Sequence, residues 1–318
     1  MAITGNFRKA QRTQCKASIA IEGLSGTGKS GLALSIAYIL ADKNWSDVFA
    51  IDTENKSLDL YVGTTMHTTD SVTPFNIADL SAEDGFKPSY YKLLRDSAIK
   101  EGGKVIINDS LSHCWQYEGG VLTMVNKVQN SGTNKNKYAA WGDPEIVQEK
   151  NAIMDLVRHR DIHVISTIRT KEKMEILEED GRKVIRSLGE QQIMMPDFKY
   201  EPDLVLQTIR PGSDDGAPPR VKVIKSRYRI FKLDEEYDMT EKLIRQMKEY
   251  LEEGTSPEEL LEQQKADYVD AVNSYLKGNQ TAVTVWKVLL ENAGYAGKKS
   301  AELPLPVLKQ LFGQLVAE

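Results

Sequence analysis

The sequence predicts an α/β protein in which a mostly parallel sheet is flanked by helices, with a small helical region after it. Three observations support this fold class. Short apolar runs typical of buried parallel strands end in polar or acidic residues, helical patterns separate these runs, and one glycine-rich stretch joins a strand directly to a helix. Strand and helix patterns alternate up to about residue 233, and helical patterns follow.

The glycine-rich stretch has the form G-x-x-x-x-G-K-S and lies between the apolar run 19–21 and a helical pattern. This is the P-loop in the context that the motif requires. Its glycines let successive backbone N–H groups face a phosphate chain, its lysine reaches the β- and γ-phosphates, and its serine hydroxyl ligates Mg²⁺. The residues predicted to hold a nucleoside triphosphate are Gly23, Leu24, Ser25, Gly26, Thr27, Gly28, Lys29 and Ser30.

Bulk composition restricts the partners of this chain. With 318 residues and a formal net charge of −5, the protein is not a polycation, so contacts with nucleic acid must come from local patches. The two cysteines, Cys15 and Cys114, have neither metal-ligand nor disulfide-framework spacing, which is typical of a reducing cytoplasm. No apolar run reaches the roughly 18 residues of a membrane span. We therefore expect a cytoplasmic protein with no membrane partner.

Three regions follow from the pattern. Residues 1–16 are polar and basic and predict a flexible N-terminal arm. Residues 17–233 hold the alternating strands and helices of the α/β core. Residues 234–318 predict a helical C-terminal region, in which capping boxes beginning at Asp238 and Ser256 open the first two helices.

Two segments of the core differ from the simple alternation. Residues 119–142 contain no acid, and their polar, glycine-containing centre at 130–137 predicts a mobile loop. Residues 170–195 form a long excursion that predicts a hairpin with its turn at 179–182.

Polar side chains follow several predicted strands at their carboxyl ends, where parallel sheets bind ligands. Asp109 ends the apolar run 105–107 and is predicted to hold Mg²⁺, directly or through water. Glu54 is the candidate base for the attacking water, although Asp52 competes for that role. The residues expected to converge on the P-loop are Asp52, Glu54, Asp109, Thr167 and Arg169.

The ordered set of segments resembles the RecA core. Residues 48–54 resemble the segment whose strand end supplies the catalytic glutamate, and 164–171 look like the strand with the γ-phosphate sensor. The chain is closer still to the phage AAA-type nucleotide-binding family, the RecA-like single-strand annealing proteins of the Sak type. The matching motifs are the P-loop, Asp52-Thr53-Glu54, Asp109-Ser110 with His113 and Trp115, Ile168-Arg169-Thr170-Lys171 and Lys225-Ser226-Arg227.

This resemblance implies an ATPase that uses ATP and Mg²⁺, binds single-stranded DNA and acts in phage-type recombination or strand annealing inside a bacterial host cell. It implies self-association as a filament or ring with nucleotide at the subunit interface, and a single-strand DNA-binding protein is a further candidate partner. Lys225 and Arg227 share one face of a predicted strand and are expected to complete the ATP site of a neighbouring subunit. The expected catalytic residues are therefore Lys29, Glu54, Asp109, Lys225 and Arg227.

The resemblance leaves the γ-phosphate sensor open, because RecA uses a glutamine where this chain has Thr167 and Arg169. Either residue could sense the phosphate, and the amides of Gln191 and Gln192 are an alternative. The first DNA-binding loop is expected within 119–142. Residues 169–186 are a second candidate segment, although their six basic and five acidic residues leave a charge of only +1. The candidate DNA-binding residues are Lys127, Lys135, Lys137, Tyr138, Lys171 and Lys173.

Other functions fit a P-loop protein. A helicase loader or replication accessory ATPase is close to the leading interpretation. A small-molecule kinase would need an arginine-rich lid and an acceptor pocket, and the sequence shows no lid pattern. A scaffold could anneal strands while only binding nucleotide.

Overall fold

The computed structural model describes residues 10–66, 69–83, 85–131, 138–179, 182–210 and 217–317. The chain divides into two compact units. The larger comprises Lys16–Leu251, and the smaller comprises Glu252–Glu318 together with the segment up to Cys15. No helix of the described residues is long and apolar enough to cross a membrane.

The larger unit is built on a mixed, mostly parallel sheet. Its strands are β1 (Ser18–Gly23), β2 (Val48–Asp52), β3 (Asn76–Asp79), β4 (Val105–Asp109), β5 (His163–Glu179), β6 (Arg182–Gln192), β7 (Leu204–Thr208), β8 (Arg220–Ser226) and β9 (Glu236–Asp238). They lie in the order β3-β2-β4-β5-β1-β7-β8-β9, with β6 paired to β5 outside this path. The pairs from β3 through β7 in this order are parallel, while β8 and β9 are antiparallel additions.

Helices cover this sheet because the central strands are apolar on both faces. All six residues of β1 and all five of β4 are buried. The helices of the chain are α1 (Lys29–Leu40), α2 (Pro88–Lys100), α3 (His113–Gln116), α4 (Val121–Ser131), α5 (Pro144–Arg158), α6 (Glu241–Glu252), α7 (Pro257–Leu276), α8 (Gln280–Asn292) and α9 (Leu305–Ala317). The predicted α/β fold class is confirmed.

The predicted hairpin is also confirmed. β5 is a strand of 17 residues whose first part lies in the sheet between β4 and β1. From Thr170 onward it pairs antiparallel with β6, from Thr170–Gln192 to Glu179–Arg182. We call residues 170–192 the hairpin arm. Because β5 is continuous, the arm extends directly from the carboxyl end of a central strand.

The segment 119–142, in which the first DNA-binding loop was expected, is helical over most of its first half. Val121–Ser131 form a helix that buries Val121 and Val125 against the core. The spacing of these valines is helical, whereas the expectation of a loop before residue 130 came from the resemblance to RecA-type proteins. The central residues Gly132–Lys137 lie outside the described residues.

The capping box at Asp238 is wrong as well. Asp238 ends β9 and pairs with Arg220 of β8. Helix α6 is capped by Thr240 instead, whose Oγ1 accepts from the Leu243 N–H at 3.3 Å. The sheet thus continues past the predicted boundary at 233, and the two units divide at Leu251. Tertiary pairing with β8 keeps residues 236–238 extended.

In the smaller unit, α7, α8 and α9 surround a core that includes Trp286, Leu308 and Leu311. The predicted capping box of Ser256 and Glu259 is confirmed, with Pro257 in the first turn. Residues 12–14 of the predicted flexible arm are held in place. The Gln14 N–H donates to the Thr255 carbonyl at 2.9 Å and the Thr255 N–H donates to the Arg12 carbonyl at 3.0 Å. Residues 1–9 lie outside the described residues.

Candidate active site

The P-loop begins where β1 ends and finishes where α1 starts at Lys29. Gly23 is required by close packing, since a Cβ there would lie 2.1 Å from Thr208 Oγ1. Gly26 and Gly28 have φ values of 76° and 82°, in the left-handed region that strains other residues. The glycines therefore fix a loop whose helical end presents free backbone N–H groups.

Lys29 is folded back over this loop. Its Nζ donates to the Leu24 carbonyl at 2.8 Å, while Thr27 Oγ1 donates to the same carbonyl at 2.8 Å. Burial lowers the pKa of Lys29, and the carboxylates of Asp109 and Glu54 oppose that shift. The ammonium group is thus near two acids at the mouth of the loop, where it can contact a phosphate.

Asp109, at the end of β4, is 1% exposed. Thr167 Oγ1 donates to its Oδ1, while Oδ2 has no hydrogen-bond partner within the described part of the chain. Burial raises the pKa of Asp109, and the nearby hydroxyls of Ser30 and Thr167 act in the opposite direction. A buried carboxylate oxygen without a partner, beside the P-loop serine, fits a hydrated divalent cation.

The donor set suits Mg²⁺ that is held largely by phosphates and water. Among the described residues, no group of three or more histidine, cysteine, aspartate or glutamate side chains gathers as a metal site. Ser30 and Asp109 would hold such an ion from the protein side. Thr167 is fully buried and occupied with Asp109, so its observed place is beneath the site, as a support for this carboxylate.

Glu54 forms a two-point ion pair with Arg169. Arg169 Nε donates to Glu54 Oε1 at 2.8 Å, and Arg169 Nη2 lies 2.6 Å from Oε2. Burial raises the pKa of Glu54, but the hydrogen bonds and charge of Arg169 outweigh this effect and leave it lowered. The competing acid, Asp52, accepts instead from the backbone N–H groups of Glu54 and Leu58 at 2.6 and 2.8 Å. Asp52 is thus held by the backbone of its own loop, and Glu54 by a side chain from β5.

A cavity of about 530 Å³ lies beside Glu54. Phe86, His113 and Tyr117 form its aromatic wall, with the rings of His113 and Tyr117 4.3 Å apart. His113 Nδ1 is hydrogen-bonded to Thr53 Oγ1, and burial, with the charge of Arg169, lowers the pKa of His113 to about 4. This histidine is neutral at physiological pH. Tyr117, whose hydroxyl accepts from Arg169 Nη1 at 2.8 Å, was not among the site residues predicted from the sequence.

The base of the hairpin arm lies against the same site. Gln192 Nε2 donates to Glu22 Oε2 on β1, directly before the P-loop, and burial raises the pKa of Glu22. Thr170 Oγ1 donates to Glu190 Oε2 at 2.5 Å across the arm, and Glu190 is close enough to influence Lys29. Of the two amides considered as sensors, the one in contact with the P-loop strand is therefore Gln192, while Gln191 is exposed.

Lys225 and Arg227 lie near the amino ends of the parallel strands, whereas the P-loop follows the carboxyl end of β1. Ser226 pairs with Leu204 at the amino end of β7, level with the start of β1. Lys225 Nζ donates to the carbonyls of Tyr200 and Pro202, each at 2.5 Å, and Arg227 Nη1 donates to Asp203 at 2.8 Å. The structure does not bring these two predicted catalytic residues to the P-loop of their own chain.

The candidate DNA-binding residues are dispersed. Lys171 and Lys173 are exposed on the hairpin arm, and Tyr138 is 86% exposed. Lys127 on α4 forms an ion pair with Glu118 at 2.5 Å, and this pair offsets the positive charge that Lys127 offers to a ligand. Lys135 and Lys137 lie outside the described residues.

The P-loop between β1 and α1, with an acid at the end of β4 on the far side of β5 in a mostly parallel sheet, defines an α/β P-loop nucleotide-binding protein. Residues 15–242 match the family described as AAA domain, and the chain belongs to this family of P-loop ATPases. No curated protein matches the chain.

Proposed function

We propose that this chain hydrolyses ATP with Mg²⁺, binds single-stranded DNA, and acts in phage-type DNA recombination or single-strand annealing. The observation that supports this most directly is the base of the hairpin arm. Arg169, the last residue of β5 before the arm, pairs with the candidate base Glu54, and the exposed Lys171 and Lys173 follow on the same strand. One continuous element therefore joins two exposed lysines, which alternate with Glu172 and Glu175, to the acid expected to activate water.

Each residue of the nucleotide site has a proposed task. Lys29 leaves the Leu24 carbonyl to contact the β- and γ-phosphates, and the backbone of Gly23–Gly28 surrounds the phosphate chain. Ser30 and Asp109 hold Mg²⁺, which when bound neutralises charge on the phosphates. Glu54 orients and deprotonates the attacking water.

The DNA surface would include the hairpin arm and the region after α4. Lys171 and Lys173 supply positive charge for phosphodiesters, and the exposed ring of Tyr138 can stack on a base. Lys127, Lys135 and Lys137 are further candidates, with Lys127 available once it leaves Glu118. The net charge of −5 makes such local patches necessary.

Self-association is proposed from the position of Lys225 and Arg227. These residues lie at the amino ends of the parallel strands, and the P-loop lies at the carboxyl ends. They can therefore reach a nucleotide only on another copy of the chain. A head-to-tail contact of this kind produces rings or filaments. A single-strand DNA-binding protein remains a further proposed partner, and the bacterial cytoplasm remains the proposed location.

The test is single-strand DNA binding by the wild type and by Lys29→Ala, each with and without a non-hydrolysable ATP analogue. We expect the analogue to raise DNA affinity and to change the oligomeric state of the wild type, and to do neither for the variant. The proposal fails if the nucleotide analogue changes neither the DNA affinity nor the oligomeric state of the wild type. Phosphate transfer to a small acceptor, without an effect of DNA, would favour a kinase instead.

A further inference from the structure

Arg169 binds both oxygens of the Glu54 carboxylate. Two guanidinium nitrogens of Arg169 contact the two oxygens of Glu54, at 2.8 and 2.6 Å. Two-point pairs of this kind are among the strongest side-chain contacts. The pair is only partly exposed, at 31% for the Arg169 side chain and 27% for Glu54, so water weakens it less than it weakens a surface pair.

This contact opposes the role proposed for Glu54. A general base needs a free lone pair directed at the water and a pKa near the working pH. Arg169 occupies one lone pair on each oxygen and also holds the pKa of Glu54 below its ordinary value, against the effect of burial. Glu54 is thus a poor base while the pair persists.

Arg169 is itself fixed by its surroundings. Its backbone N–H donates to Ser112 Oγ at 2.9 Å, and its carbonyl accepts from the Ile193 N–H at 2.8 Å. Its Nη1 donates to the Tyr117 hydroxyl at 2.8 Å, and the guanidinium carbon lies 5.5 Å from the centre of the Tyr117 ring. Ile193 directly follows β6, so both strands at the base of the hairpin arm set the position of Arg169.

We propose that Arg169 restrains Glu54, that the observed ion pair is the resting state of the site, and that hydrolysis requires Arg169 to release the carboxylate. Tyr117 stabilises the resting position of Arg169. Displacement of the hairpin arm by a bound DNA strand would pull Arg169 away from Glu54, because Arg169 and the first strand of the arm both belong to β5. This inference rests on the proposed ATPase activity of the site, and the restraint itself does not depend on DNA.

The test measures ATP hydrolysis without DNA for the wild type, Arg169→Ala, Arg169→Lys and Tyr117→Phe. Removal of Arg169 should raise kcat about tenfold with little change in KM, since a charge-assisted contact to the base is lost. Lysine keeps one point of contact and should restore part of the restraint. Tyr117→Phe should raise kcat less than Arg169→Ala, because the ion pair itself remains.

The matched control is Arg245→Ala. Arg245 contacts Glu241 on the surface of α6 with Nε at 2.8 Å and Nη2 at 2.6 Å from the same oxygen, so the variant removes a similar pair elsewhere. It should leave kcat unchanged. Circular dichroism checks that each variant is folded, and Arg169→Lys with Tyr117→Phe decides the matter if Arg169→Ala does not fold.

A kcat for Arg169→Ala at or below that of the wild type overturns the restraint, because Arg169 would then support the transition state or do nothing. A second series with single-stranded DNA separates the two proposals. Stimulation should shrink towards onefold in Arg169→Ala. A wild type that DNA does not stimulate would contradict the DNA-dependent function, while the DNA-free series would still decide whether Arg169 restrains Glu54.

Discussion

Charged groups at the two ends of the parallel strands in the larger unit are paired to different degrees. We call the end at which β1 and β7 begin the amino edge, and the end at which they finish the carboxyl edge. At the amino edge, Asp203 is 5% exposed and accepts from both Arg160 and Arg227. At the carboxyl edge, Asp109 is buried to a similar degree, yet one of its oxygens has no hydrogen-bond partner in the described part of the chain. Both carboxylates are buried, and only the first has its oxygens satisfied by the protein.

This difference separates a structural edge from a functional one. Buried polar groups are nearly always hydrogen-bonded, and a departure from that rule costs stability. At the amino edge the charges stabilise the fold and leave little for a ligand in their own chain. At the carboxyl edge the protein keeps Asp109, Lys29 and Glu54 close together without complete pairing, so a ligand can supply the missing contacts.

The largest expected effect comes from making the same substitution at both edges. Asp109→Asn should lower hydrolysis about 10²–10³-fold, since it removes a charge that faces the metal and phosphates. It should also raise the free energy of unfolding of the nucleotide-free protein by about 1 kcal/mol, because a buried carboxylate is neutralised. Steady-state hydrolysis and urea unfolding measure the two quantities.

Asp203→Asn is the counterpart at the amino edge. It leaves two arginines beside a neutral amide and should lower the free energy of unfolding by about 2 kcal/mol. Hydrolysis by dilute protein should not change. If Asp109→Asn destabilises as much as Asp203→Asn, the distinction between the two edges is wrong.

Two buried histidines extend the comparison to pH. His163 opens β5 at the amino edge, its Nδ1 accepts from the Ala17 N–H at 2.8 Å, and burial lowers its pKa to about 3. His113 lies at the carboxyl edge with a pKa lowered to about 4. The unfolded chain binds protons below about pH 6.5 while the folded protein does not, so stability falls as pH drops through that value.

The expected loss approaches about 1.4 kcal/mol per histidine for each pH unit below 6.5. Urea unfolding at pH 7.5 and 5.5 should show a smaller pH dependence for His163→Gln than for the wild type. Bound nucleotide should leave the contribution of His163 unchanged, and it should alter that of His113, which lies near Glu54. Equal slopes for His163→Gln and wild type would show that His163 is not the titrating group.

Lys225→Met is expected to have a small effect on stability. The variant leaves the carbonyls of Tyr200 and Pro202 without this donor and should cost about 1 kcal/mol in unfolding free energy. If Lys225 serves a neighbouring nucleotide site, hydrolysis should fall only at concentrations where the wild type self-associates. A deficit that is independent of protein concentration would contradict a role between subunits.

Much of the candidate site follows from local patterns. The P-loop, the acids after β2 and β4 and the hairpin were predicted because each depends on short-range spacing or on where a strand ends. The pair between Glu54 and Arg169 could not be predicted, since its members are 115 residues apart and meet only when β5 takes its place beside β4.

The wrong predictions have the same origin. Helix α4 was missed because a DNA-binding loop was expected in this segment, although Val121 and Val125 repeat at helical spacing. The cap at Asp238 was wrong because β8 recruits residues 236–238 as a strand. In both cases burial against a distant partner decided the conformation.

The sequence by itself determined the fold class, the phosphate-binding loop and the polar groups at the strand ends, because these depend on residue type and short-range order. Only the tertiary structure decided which charges are satisfied and which are left for a ligand. Asp109 follows an apolar run and Asp203 precedes one, but this local order does not show which of the two acids finds arginine partners. The arrangement of strands gives Asp203 two arginines, whereas one oxygen of Asp109 has no hydrogen-bond partner among the described residues. Partners of this kind come from distant parts of the chain.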